Sequence, residues 1–120
     1  MSFATSALND ALAGVVDVAT HLSLHESDPG TTGAGVDVDV VLLSANWGTP
    51  AGASVDSSQV GFAITEGGGS RTYTHFGVWT GVDTSTATFK AGGPLDQSET
   101  FSDNGGTYNF TATLTAAPAA

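Results

Sequence analysis

The stretch Tyr73-Thr74-His75-Phe76-Gly77-Val78-Trp79-Thr80 decides how this 120-residue chain is read. Aromatic and β-branched residues fill it, and no helical spacing fits it. Phe76 and Val78 are expected on one face, with Tyr73, His75 and Trp79 on the other. Both sets are apolar enough to be covered, which predicts a central strand of a sheet. Gly77, between His75 and Trp79, predicts a place where another group comes close.

Working outward, period-2 patterns recur on both sides. In Thr20-His21-Leu22-Ser23-Leu24-His25, Leu22 and Leu24 share one face while His21, Ser23 and His25 share the other. Asp28-Pro29-Gly30 then breaks the strand. Val36-Asp37-Val38-Asp39-Val40 alternates strictly before Val41-Leu42-Leu43 and predicts an edge strand. Val60, Phe62 and Ile64 predict another, with Glu66-Gly67-Gly68-Gly69-Ser70 as a hairpin end. Further strands are expected at Thr86 to Lys90, Gln97 to Phe101 and Thr107 to Leu114, with Asn104-Gly105-Gly106 as a hairpin turn between the final two. In the last strand Tyr108, Phe110, Ala112 and Leu114 share a face.

Only residues 1–16 read as a helix. Leu8, Leu12 and Val15 form one apolar stripe, Ser6 is placed to cap the start, and two or three turns of this kind must lie on something to persist. Residues 116–120 read as a loose tail. One short N-terminal helix and about seven short strands between glycine-rich turns predict a mostly β chain. The expectation is a single antiparallel β-sandwich, jelly-roll-like, spanning residues 1–120 as one domain.

Composition narrows function. Twelve acids face two bases, Arg71 and Lys90, for a formal net charge of -10. Phosphate-backbone binding needs several cations, so nucleic acid and anionic membranes are poor partners. The absence of cysteine removes disulfides, thiolate metal sites and cysteine nucleophiles. No apolar run approaches the roughly 18 residues of a membrane span, and the first residues lack the pattern of a secretory signal. The acidic bias reads as a solubility device, or as the mark of a high-salt habitat.

No catalytic pattern stands out. His21 and His25 lie roughly 13 Å apart along one strand face, too far to share a metal ion, and read as an exposed or interface-facing surface. His75 reads as a packed histidine. Asp37 and Asp39 share a strand face without a calcium-loop pattern, and the Glu66 to Ser70 glycines form no phosphate cradle. The expectation is no enzyme, no cofactor and no metal. Trp47 and Trp79 read first as core, with an interface anchor or a sugar-stacking platform as the alternative.

Three segments together carry a resemblance. His21-Leu22-Ser23-Leu24-His25-Glu26-Ser27-Asp28-Pro29-Gly30-Thr31-Thr32-Gly33-Ala34, then Asn46-Trp47-Gly48-Thr49-Pro50-Ala51, then Tyr73-Thr74-His75-Phe76-Gly77-Val78-Trp79 are similar, in order and spacing, to short virion proteins of tailed phages. Those proteins are described as tail-fibre-like or minor tail proteins. The chain departs from them at His21, where an aromatic is usual, and over Val36 to Leu43. The resemblance implies a β-rich structural part of the virion, assembled in the host cytoplasm and released by lysis. Its partners would be other virion proteins and further copies of itself, with a trimer favoured. Tail placement is favoured, capsid decoration is the alternative, and a carbohydrate-binding module for host surface glycans is the alternative of another class. Trp47, Trp79, His21 and His25 are the candidate interface or glycan contacts.

Overall fold

The computed structural model describes residues 3–37, 39–67 and 69–116. The helix α1 runs Thr5–Val18. Eight strands follow: β1 His21–His25, β2 Leu43–Ser44, β3 Ser54–Asp56, β4 Val60–Ile64, β5 Arg71–Trp79, β6 Phe89–Phe101, β7 Gly106–Phe110 and β8 Thr113–Thr115. All pairings are antiparallel. A four-stranded sheet has the order β2-β1-β5-β6, and two separate ladders join β3 to β8 and β4 to β7. The chain is therefore mostly β, with one N-terminal helix.

The layers meet through apolar faces. Leu22 and Leu24 of β1 with Phe76 and Val78 of β5 pack in one core with Val55, Phe62, Ile64 and Leu114 from the two ladders. This is the layering of a small sandwich. The jelly-roll expectation is not met, because the second layer stays as two ladders instead of closing into one four-stranded sheet.

Helix α1 reaches two residues beyond its expected end and starts before its expected cap. Its N-cap is Ala4, with no side-chain cap bond, and Ser6 lies inside the first turn. Leu8 and Leu12 are buried as the stripe predicts. Asn9 Oδ1 accepts from the Ala53 N–H at 2.9 Å, which ties the helix to the turn before β3. In that turn Ala51 and Ser54 exchange backbone bonds around Gly52 and Ala53, both at φ near +60°. Two positive φ values in a two-residue loop are the geometry of a type I′ turn.

Three strand expectations are corrected. Among the described residues of Val36 to Val40 no strand forms: Val36 makes an isolated bridge to His25, and the Asp39 N–H bonds Asp37 Oδ1 at 3.0 Å. That Asx turn takes the backbone out of the extended path that the valines suggest; Val38 lies outside the described residues. The two expected strands from Thr86 to Phe101 are one long strand, β6, which passes through Gly92-Gly93-Pro94. An edge position tolerates the proline because its missing N–H points away from the ladder. Finally, the two glycine-rich turns join strands that do not pair. β4 and β7 pair with each other, and the turns dock together instead, with the Gly67 and Gly69 N–H groups bonding to Asp103 at 2.8 and 2.9 Å.

Candidate functional site

The first and third motif segments meet at one buried place. Antiparallel register sets Ser23 opposite Gly77, His25 opposite His75 and His21 opposite Trp79. With period 2, this puts Ser23, His25, Gly77 and Trp79 on the face of the sheet away from Leu22 and Phe76. Residues 26–35 fold back over that face. The Glu26 N–H bonds the Gly35 carbonyl, and Pro29 accepts from Gly33 and Ala34.

A relay of hydrogen bonds runs through the covered face. The Trp79 Nε1–H donates to Ser23 Oγ at 2.8 Å. Ser23 Oγ and His25 Nε2 are 2.6 Å apart, and His25 Nδ1 is 2.7 Å from the Ala34 carbonyl oxygen. A carbonyl only accepts, so Nδ1 carries the proton and Nε2 accepts from the serine hydroxyl. Every polar group is thereby satisfied with a neutral imidazole. Burial holds the His25 pKa below its ordinary value, opposed by the Ala34 bond and reinforced by His75.

Two glycines make room for this arrangement. At Gly33, with φ +80°, a Cβ would stand 2.7 Å from the Trp79 ring, and at Gly77 it would stand 2.6 Å from His25 Nε2. Phe89 closes the cluster with an edge contact to Trp79 at 5.2 Å between centroids.

A serine hydroxyl on a histidine is also the start of a nucleophilic pair. Here Ser23 is 1 % exposed and His25 0 % exposed, and the hydroxyl already accepts from an indole. A substrate cannot reach it. What these residues do is fasten β1, β5 and the loop 26–35 together.

The sequence-predicted contacts are therefore divided. His25 is corrected: it is buried within the protein, because the loop 26–35 and Phe89 cover the face of β1 expected to be open, while Trp79 is buried as its first reading, a core residue, expects. His21 is half-buried beside the Thr20 hydroxyl. Trp47 is half-buried, pairs through its backbone with Ser57, and lines a hollow of about 400 Å³ with Val16, Asp17, Thr20 and Pro50. Its indole N–H is shielded and has no partner among the described residues. Ser23 is the residue that sequence reading passed over. Its position between two histidines on one strand face was the available signal.

No protein-family model matches this chain. Comparison with curated proteins likewise gives no match. The resemblance to virion proteins thus stands on the three motifs themselves. Among the described residues no group of three or more His, Asp or Glu side chains is placed to hold a metal ion, and no helix is long and apolar enough to cross a membrane.

Proposed function

We propose that this chain is a structural component of a tailed-virus particle, a small β module built into the virion surface, on the tail in preference to the head. The observation that carries the reading is where the motif residues go. The side chains of Ser23, His25 and Trp79, with Gly33 and Gly77 beside them, are enclosed in one lock that shapes the module. A motif used in this way suits a protein whose task is to hold a shape among neighbours. Exposed apolar surface for such neighbours exists: Val41 and Val82 are 68 % and 55 % exposed and border one hollow. Its partners are other virion proteins and further copies of the chain, in a trimer by family habit. Electron microscopy of particles labelled with an antibody against the chain tests the reading: label on tails is expected, label on heads selects the capsid-decoration alternative, and unlabelled particles overturn it.

A glycan-binding reading is favoured by one observation only, the hollow that Trp47 lines together with Asp17, Thr20 and Asn46. Trp79 no longer contributes to it. A glycan array comparing the parent chain with Trp47→Ala tests this reading, and no binding by the parent removes it.

A further inference from the structure

β6 and β7 are consecutive strands joined by residues 102–105, yet they share no ladder. Among the described residues β6 bonds only to β5, and β7 only to β4. Between them runs a furrow. At one end it is a hollow of about 500 Å³ with Asp96, Gln97 and Glu99 on one wall and Tyr108, Asn109 and Phe110 on the other. At its other end it narrows to about 290 Å³ between Gly92-Gly93-Pro94 and the strand β8, and Asp96 lines both parts.

Both main walls are sheet edges. β6 ends the order β2-β1-β5-β6, β7 ends its own ladder, and among the described residues no backbone hydrogen bond crosses the furrow. An unpaired strand edge is a template for an added strand. The wall is shaped by a bulge. Tyr73 pairs with Glu99 while His75 pairs with Pro94, so β6 carries extra residues between these points. The bulge buries Leu95 and leaves Asp96, Gln97, Ser98 and Glu99 exposed.

Charge and ring geometry select the occupant. Asp96 and Glu99 make the wall acidic, and their charges add to burial in raising the Tyr108 pKa. A second copy would bring a net charge of -10 and only two bases, so it suits this wall poorly. A sugar needs a free ring face. Phe110 stacks on both Tyr108 and Phe62, at 5.3 and 5.6 Å, and Phe101 sets an edge against Tyr108 at 5.9 Å.

We propose that this furrow receives an extended, basic segment of another protein, which adds a strand along the outer edge of β6. Pro94 has no N–H to offer and ends the pairing stretch, so about six residues facing Asp96 to Phe101 fill it at roughly 3.4 Å each. The inference deepens the assembly reading by giving the chemistry of a partner, and its failure would leave the location of the chain on a particle untouched.

The test uses the full chain and three probes: a nine-residue alternating Lys/Val peptide, the same peptide with Glu for Lys, and a linear glucose hexasaccharide. Nuclear magnetic resonance follows amide shifts and hydrogen exchange. The Lys peptide is expected to slow exchange at residues 96–101, more weakly in high salt, while the other probes do not. Asp96→Asn with Glu99→Gln is expected to weaken the Lys peptide roughly tenfold, the loss of two rim charge pairs. Asp96→Lys with Glu99→Lys transfers binding to the Glu peptide. The proposal is overturned by equal binding of both peptides, by no protection at 96–101, or by protection from the saccharide alone.

Discussion

The indole N–H of Trp79 donates to the hydroxyl of Ser23 at 2.8 Å, joining two strands across 56 positions of sequence. This bond makes one buried object of two motif segments. Ser23 is its centre, since it accepts from the indole and donates to His25.

Ser23→Ala leaves two buried groups without partners, the Trp79 N–H and His25 Nε2. Each orphaned neutral group costs about 1–3 kcal/mol. Urea unfolding is expected to show a loss of about 2–4 kcal/mol. A loss of a few tenths, the size of a surface change, would mean that the relay is not intact in solution.

Gly33 and Gly30 both have positive φ, but only Gly33 is crowded. Gly30→Ala meets open space and carries only the left-handed backbone cost, about 1 kcal/mol. Gly33→Ala adds a clash with the Trp79 ring, for about 3 kcal/mol or more. Thermal unfolding of the two variants side by side should rank Gly33→Ala well below Gly30→Ala. Equal losses would show that the ring is not seated on Gly33.

Burial is the largest cause of the lowered His25 pKa. The folded chain therefore binds this proton more weakly than the unfolded chain. The stability from His25 is fully present above the ordinary histidine value of about 6.5, and is lost as pH falls through that value towards the folded pKa. The steepest slope for one such group is about 1.4 kcal/mol per pH unit. Urea unfolding between about pH 7.5 and 5.5 should show the parent losing more stability than His25→Gln. Parallel curves would place the imidazole in a solvated site.

The turn before β3 contains a flaw that can be repaired. Ala53 sits at φ +60°, where a Cβ is unfavourable by about 1–2 kcal/mol. Glycine removes that strain but adds unfolded-state entropy, so Ala53→Gly is expected to gain a net stability of about 0.5 kcal/mol. A higher melting temperature with an unchanged Asn9 contact would agree. Destabilisation would show that the turn has another form.

Much of the β layout was legible. Leu22 and Leu24, Val60, Phe62 and Ile64, and Ala112 with Leu114 point inward as their alternation requires, because period 2 is a local property of the strand. What covers the opposite face of β1 is not local. His21-Ser23-His25 reads as polar and open until residues 26–35 fold back, and that depends on Gly33 fitting beneath a ring encoded far along the chain. Turn chemistry had the same limit. The glycines after Ile64 and at Gly105 mark chain reversals, but nothing in a turn says that β4 will pair with β7 instead of β5. At Asp37 and Asp39 a side-chain bond to the backbone overrode a perfect alternation.

The proposed role of this chain as a structural part of a tailed-virus particle can be tested by quantitative mass spectrometry of purified intact particles. This chain is expected among the particle proteins at a fixed number of copies, small if it sits on the tail and in the hundreds if it decorates the head. Its absence from intact particles, with abundance only in the soluble fraction of the lysate, would contradict the claim.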